Sequence, residues 1–520
     1  MGAIDPWTEV LAALSLATDL ANDHGDDKTL RTAVLAVGIA RACGLPAQTQ
    51  RDVFHTALLR FIGCSAFAPE EAQQFGDDVL ARRVFGTVDY ADARALWRAG
   101  GEALAGEGSR WRRLARRSAA IVGAPARLRL LFTSQCEVGR RFGARLGVGP
   151  GALAALDRIH ERHDGRGGPR GLRGDELGHV VAVVQVANLA ELLQRAVGLE
   201  RAREAVLRRR GGALDPAIVD GFVAHAPALF ESLATGAAWD AFVALGADFP
   251  VIAADAEVDA VVTAFADFTD LASVHTLGHS RQVALAAEAA GRNAGLAPAE
   301  LLSLRRAALL HDLGRVAIPA TVWSKRGPLS AADWERIRMH AYHGRRIVAR
   351  APRLRDVAQL AACDHERGDG SGYPAGLARE ALPMAARLLA AADVWCALTE
   401  ARPHRPAHDR EAAIALLREE VAAGRLDREA VDAVLGTSSA PREAGAPAGL
   451  TAREVEVLVW VARGETNKQV AVRLGISART VGHHLEHAYA KIGISTRAAA
   501  ALFVVEHGLV AGGPDRAGAS

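Results

Sequence analysis

Two stretches of the chain read almost as one: HERHDGRGGPRGLRGDEL from His160 to Leu177 and HERGDGSGYPAGLAREAL from His365 to Leu382. They lie 205 residues apart. The same offset pairs Gly139-Arg140-Arg141 with Gly344-Arg345-Arg346, and VANLAELL from Val186 with AADVWCAL from Ala391. Upstream, TDLANDHGDD at Thr18 answers TDLASVHTLG at Thr269, and ALLRFIGCSAFAP at Ala57 answers ALLHDLGRVAIP at Ala308, both at an offset of 251. Anchors in one order with a single change of offset are the mark of a duplicated unit. The difference of 46 residues is an insertion in the first copy, between its second and third anchors, and it includes the Arg/Trp-rich SRWRRLARR from Ser109 to Arg117.

Around these anchors, apolar residues recur at helical spacing, with abundant Ala, Leu and Arg and few alternating runs, so the fold class is all-α. With 520 residues, 50% hydrophobic and 23% charged, the chain can fill several cores, which excludes a disordered or collagen-like polymer. GTSSAPREAGAPAG, from Gly436 to Gly449, is small, Pro/Gly-rich and nearly without large apolar residues, and reads as a linker. The resulting division is 1–245 and 246–435 for the two copies, 436–449 for the linker, 450–512 for a small C-terminal domain and 513–520 for a tail. Five cysteines, odd in number and widely spaced, make neither a disulfide framework nor a CxxC zinc site. MGAIDPWTEV has no basic segment before an apolar run, so it is not read as a secretory signal. The longest apolar run, Val180 to Leu193, is interrupted by Gln185, Asn188 and Glu191 and is too short to span a bilayer. A cytoplasmic protein without a membrane partner is the expectation.

The copies differ in chemistry. The second holds His279, His311, Asp312, His340, His365 and Asp393, whereas the first has Lys28, Arg60, Phe61, Gln135, His160 and Asn188 at the paired positions. Four imidazoles and two carboxylates suit two divalent ions that clamp a phosphate and activate water, with an adjacent His-Asp pair supplying a terminal and a bridging ligand. Lys, Arg and Phe are not ordinary metal ligands. Only the second copy therefore reads as a working site, and the first as a scaffold or sensor.

The pieces HSRQV at His279, LLHDLGRVAIP at Leu309, MHAYHG at Met339, HERGDGSGYPAGL at His365, AADVWCALT at Ala391 and RPHR at Arg402 resemble the HD-GYP branch of the HD phosphohydrolase superfamily. That resemblance implies a helical domain with two or three divalent ions (Mn or Fe favoured) and hydrolysis of cyclic di-guanylate or a related nucleotide. By it, His279, His311, Asp312, His340, His365 and Asp393 are metal ligands and Asp312 and Arg315 the catalytic candidates. Arg315, Gly372, Tyr373 and Pro374 would meet substrate. Four positions depart from the family pattern. His275 stands where a Glu is usual and Asp364 where a His is usual, a trade that leaves both as candidates for an extra metal position. Arg315 replaces a lysine, keeping a cation of different geometry. Cys396 replaces an aspartate, so one contact supporting the site is expected to be lost.

Beyond the linker the helix punctuation is clear. Thr451 and Glu454 form a capping-box pattern, Gly464 ends that helix, and a second runs from about Asn467 to Leu474 and stops at Gly475. Ser477 caps a third that extends toward Ile492 and Gly493, and Ser495 or Thr496 opens a fourth ending near Gly508. Short helix, tight turn and polar helix is the geometry that lays one helix in the DNA major groove. LTAREVEVL at Leu450, GETNKQVAVRLGIS at Gly464 and RTVGHHLEHAYAKIGIS at Arg479 resemble the LuxR-type DNA-binding domain. The resemblance implies a recognition helix from Ser477, with Arg479, Thr480, His483, His484 and Lys491 as contacts to double-stranded DNA and Asn467 and Lys468 on its backbone. It also implies a homodimer through Arg497 to His507. Val457, Leu458, Val470, Leu474, Ile476, Val481 and Leu485 read as core. Gly482, where the family often has Lys, forfeits a cation and costs the helix about 0.5–1 kcal/mol against Ala.

Two functions follow. The first is a DNA-binding regulator whose HD-GYP-like domain senses or hydrolyses a nucleotide or cyclic dinucleotide. The alternative is an active cyclic di-guanylate phosphodiesterase that the DNA-binding domain only localises.

Overall fold

The structure, a computed structural model, describes residues 5–512 except 26, 76, 90–91, 104–123, 234–237, 250–254 and 437–445. The SRWRRLARR insertion, most of the linker and the tail thus lie outside the described residues. Those that are described contain helices and three isolated bridges, and no strand. The all-α expectation holds. The chain divides into two compact units, Met1–Ala264 and Phe265–Ser520.

In the first unit the helices that matter here are α1 (Pro6–Ala21), α2 (Lys28–Ala42), α3 (Ala47–Leu59), α4 (Ala124–Arg145) and α5 (His179–Val197). Asp5 starts α1 by accepting the Thr8 N–H at 3.0 Å, with Pro6 at the first position, where its missing N–H costs nothing. Leu11, Leu14, Leu30, Leu35, Ile39, Phe54 and Phe142 form the centre of the core. α5 extends beyond the apolar run seen in the sequence, and its 19 residues are long and apolar enough to cross a bilayer by length and composition alone. Its Asn188 and Glu191 are nevertheless buried, and Glu191 accepts from Arg31 at 2.9 Å and from Arg195.

In the second unit, α6 (His279–Asn293), α7 (Pro298–Leu310), α8 (Ala331–Val348) and α9 (Met384–Thr399) frame the candidate centre. The C-terminal domain consists of α10 (Ala452–Ala462), α11 (Asn467–Leu474), α12 (Ala478–Ile492) and α13 (Arg497–Glu506).

Each unit repeats the same local devices at paired positions. Asp19 accepts from the Thr29 N–H at 3.0 Å and its hydroxyl at 2.5 Å, as Asp270 does from the Ser280 N–H at 3.0 Å and hydroxyl at 2.8 Å. Each clamp fixes the first turn of the helix opened by Lys28 or His279. Buried Glu161 gathers the N–H groups of Arg170, Gly171 and Leu172, and buried Glu366 those of Ala375 and Leu377, so one carboxylate folds each Gly/Pro loop. A Cβ on Gly63 would lie 2.2 Å from the Gln135 carbonyl oxygen, and one on Gly314 2.0 Å from that of His340. Glycine is needed at both places because two backbones touch there.

The C-terminal domain follows its punctuation closely. Thr451 and Glu454 exchange hydrogen bonds at 3.2 and 2.7 Å, Thr466 and Gln469 form a second capping box, and Ser477 and Thr496 cap α12 and α13. Gly475 adopts φ 63° after α11, the left-handed stop the turn requires. Glu454 also accepts from Lys491 at 2.7 Å, tying the start of α10 to the end of α12. The Lys491 and Thr451 hydrogen bonds hold its carboxyl down at about 2, below its ordinary 4.5. The folded state thus binds fewer protons, so this stabilisation is complete above 4.5 and fades as pH falls toward 2. Glu454→Gln should cost the domain about 1 kcal/mol at neutral pH. Acid titration of its unfolding checks this, because the variant should lose less stability than the wild type over that pH window.

Candidate metal centre and nucleic-acid interface

Five elements deliver the candidate ligands. His279 is the first residue of α6, and His311 and Asp312 leave the C-terminus of α7. His340 lies inside α8, Asp364 and His365 open the loop folded by Glu366, and Asp393 lies inside α9. The Asp312 carboxylate sits at the middle. One oxygen is 3.7 Å from His340 Nε2, and the other is 3.5 Å from His311 Nε2 and 3.9 Å from His279 Nε2. Asp393 approaches His279 Nε2 at 3.1 Å and His311 Nε2 at 3.8 Å. Donor atoms of Asp312, His340, Asp364 and His365 lie within 4.8 Å of one another, as do those of His279, His311 and Asp312. Two donor groups therefore share one carboxylate, the arrangement a two-ion centre needs.

The side chains fit metal ions for a reason independent of any likeness. His311 Nδ1 donates to the Ala308 carbonyl at 2.8 Å and His340 Nδ1 to that of Ile337 at 2.5 Å, which leaves each Nε2 with its lone pair facing inward. Those Nε2 atoms and both carboxylate oxygens of Asp364 are buried with no hydrogen-bond partner. Leaving such atoms unsatisfied costs about 1–3 kcal/mol each, a cost that cations would remove. The electrostatics agree. Burial pushes Asp364 well above the carboxylate range, helped by Asp393 and Asp312. Burial also acts on Asp312 and Asp393, but cationic and imidazole neighbours outweigh it and hold both low. His340 is drawn to about 4 and His365 to about 3, mainly by burial, so both rings are neutral at neutral pH.

The extra pair separates. Asp364 joins the cluster, but His275 belongs to neither donor group among the described residues. Its backbone is turned by the Ser273 hydroxyl, and besides burial the nearby Arg402 and Arg326 disfavour a charge on its ring. Of these two departures from the family pattern, the structure brings only Asp364 to the other donor atoms. Arg315 donates to Asp312 at 2.9 Å and lies 3.8 Å over the Trp323 ring, so it braces the shared carboxylate at the edge of the site. The Tyr373 ring is 4.8 Å from His365 and 6.2 Å from His340, which places the Gly372-Tyr373-Pro374 turn directly against the cluster.

The contact forfeited at Cys396 has a counterpart that the sequence reading missed. Glu400, one turn further along α9's stripe and just past its end, meets His279 Nδ1 at 2.9 Å and Arg402 at 3.0 Å. Burial opposes charge on His279, but Glu400 and Asp393 outweigh it and raise the ring to about 10. The signal was the spacing Asp393, Cys396, Glu400, which puts three side chains on one helix face. Glu400→Gln should weaken metal retention about 10- to 100-fold by loosening His279. Metal titration of the chelator-treated protein measures it.

On the nucleic-acid side, Arg479 and His483 are exposed one turn apart on α12, and Lys468 is exposed near the start of α11. Thr480, His484 and Asn467 are half-buried, with the Thr480 hydroxyl 2.8 Å from that of Ser477. Lys491, also exposed, donates to Glu454 at 2.7 Å and so braces two helices. Of the expected core, Val457, Leu458, Val470, Val481 and Leu485 are buried, whereas Leu474 and Ile476 are half-buried. A Cβ at Gly482 would meet nothing within 4 Å. All residues from Ala498 to Val505 are buried, so α13 turns no face to water here, and a dimer through Arg497 to His507 would need it uncovered.

Comparison with known proteins accords with both halves. Residues 264–430 match the HD domain family, and residues 448–504 match the bacterial regulatory proteins of the luxR family. A 3'3'-cGAMP-specific phosphodiesterase 3 of Vibrio cholerae serotype O1 is 25% identical over 80% of this chain and 91% of its own length. A cyclic di-GMP phosphodiesterase response regulator of Xanthomonas campestris pv. campestris is 40% identical, over 27% of this chain and 38% of its own. The crystal structure of a cyclic GMP-AMP-specific phosphodiesterase from V. cholerae shares the fold, with a TM-score of 0.55 and 21% identity over 82% of this chain and 96% of that one. The chain thus carries an HD domain over residues 264–430 and a LuxR-family DNA-binding domain over residues 448–504.

Proposed function

We propose that this protein is a DNA-binding transcriptional regulator whose second HD copy binds two divalent ions and hydrolyses a cyclic dinucleotide. One observation carries the proposal: a single buried carboxylate, Asp312, faces imidazoles on both of its oxygens, with unsatisfied Nε2 and carboxylate atoms around it. His279, His311, His340, His365, Asp312, Asp393 and Asp364 would hold the ions. When bound, these would supply Lewis acidity and a water made acidic enough to attack phosphorus at neutral pH. Arg315 holds Asp312 between the two donor groups, and its cationic edge is suited to a non-bridging phosphate oxygen. Tyr373 gives the purine ring of a substrate an aromatic wall beside His365. The names of the relatives point to 3'3'-cGAMP and cyclic di-GMP as the nucleotides to try.

Arg479, His483 and Lys468 would carry the nucleic-acid contacts, since they are exposed cationic or imidazole groups on the first half of each of the two helices of the motif. The test uses the full chain loaded with Mn or Fe. Turnover of either cyclic dinucleotide, together with DNA binding that weakens linearly in log affinity with log salt, is the expected result. Absence of turnover with both nucleotides and both metals would reduce the second copy to a sensor. DNA binding unaffected by Arg479→Ala would remove the assigned recognition helix.

A further inference from the structure

The first copy keeps the frame of the metal site and reverses its charge. Lys28 begins α2 as His279 begins α6, and it is fully buried. Its ammonium donates to Asn188 Oδ1, reproducing the contact of His279 with Asp393 at the paired positions. Phe61 stands at the position paired with Asp312. The Lys28 ammonium lies 4.0 Å from the centre of that ring and the Arg60 guanidinium carbon 5.3 Å from it. Two cations thus converge where the second copy gathers ligands for cations. Like charges brought this close inside a protein repel strongly, and burial adds to the cost. Asp19, which also holds Thr29, and Glu191, which also accepts from Arg31 and Arg195, favour the charge on Lys28, but burial, helped by Arg60, outweighs them and draws it down to about 7. Both ring nitrogens of His24, whose ring packs at 5.4 Å on Phe61, and Nε2 of His160 are buried with no hydrogen-bond partner. Neutral imidazoles can donate an N–H there, and burial together with the neighbouring cations keeps both rings neutral, at about 2 for His24 and about 3 for His160. Phe61, Arg60, Gln135 and His160 are half-buried, whereas Lys28 and Asn188 are buried.

We propose that this centre is a phosphate-binding site, in which Lys28 and Arg60 stand in for metal ions and hold a nucleotide phosphate or free phosphate without cleaving it. The side chains present explain both properties. The cations and imidazole N–H groups bind the oxygens, and with Phe61 and Asn188 in place of the two carboxylates there is no ligand set to hold an ion that would activate water.

The test is calorimetry on the full chain carrying His311→Ala and Asp312→Ala, in chelator, so that the second centre is silent and the result does not depend on its proposed chemistry. The probes are 3'3'-cGAMP, cyclic di-GMP, their linear dinucleotide products and inorganic phosphate. Saturable binding of one anion per chain is expected, weakened at least tenfold by Lys28→Met and by Arg60→Gln. Arg60 sits at the half-buried rim, so its variant should fold even where loss of the buried lysine does not. Binding of dinucleotides in preference to inorganic phosphate would assign the site to a nucleotide, and the reverse to free phosphate. Binding of none of the probes, or affinity unchanged in Arg60→Gln, overturns the proposal.

Discussion

Alanine at both His311 and Asp312 is expected to abolish metal-dependent hydrolysis, with kcat/KM falling by a factor on the order of 10³ or more. The size follows from the position of Asp312. Its two oxygens serve both donor groups, so its loss dismantles both candidate ion sites at once, while loss of His311 removes an inward lone pair fixed by the Ala308 carbonyl. Elemental analysis should show the ion content of the double variant falling toward zero. Stability at neutral pH should change little in the metal-free state, because the variant removes unsatisfied atoms from a buried site as well as the Arg315 ion pair. DNA binding measured without metal should be retained. A double variant that keeps its metal and its turnover would move the chemistry elsewhere in the chain.

Gly314→Ala should be at least as damaging, by a different route. The added methyl would lie 2.0 Å from the His340 carbonyl oxygen, 2.7 Å from the Gly344 nitrogen and 2.9 Å from the His340 carbonyl carbon. All three are backbone atoms, so no rotamer change relieves the clash and α8 must move. A cost above about 3 kcal/mol is expected, at the severe end of overpacking substitutions. Because α8 carries His340, metal affinity should fall together with the melting temperature. Gly63→Ala gives an internal comparison, since its methyl would lie 2.2 Å from the Gln135 carbonyl oxygen in the first unit. It should destabilise that unit while leaving the metal content of the second intact.

Much of this was legible in the sequence because short-range rules govern it. Thr451, Thr466, Ser477 and Thr496 cap helices through bonds three residues long, and Gly475 stops α11 as the turn requires. The repeat was legible because the residues that shape each loop, such as Glu161 and Glu366, keep their spacing in both copies. Geometry across helices was not. Nothing local says that Glu400 reaches His279, that Lys491 is occupied by Glu454, or that His275 falls outside the cluster while Asp364 falls inside. The same limit hid the convergence of Lys28 and Arg60 on Phe61, since a list of missing ligands does not show where the replacements point.

The continuous burial of residues 498–505 bears on how this protein can be dissected. A helix packed only against its own small bundle keeps one face in water, and α13 keeps none. A fragment cut at the linker would lose the approach of Gly278 to Val510 and of Val274 to Gly464, which the intact chain keeps. The oligomeric state of such a fragment would report on the cut and not on the intact chain.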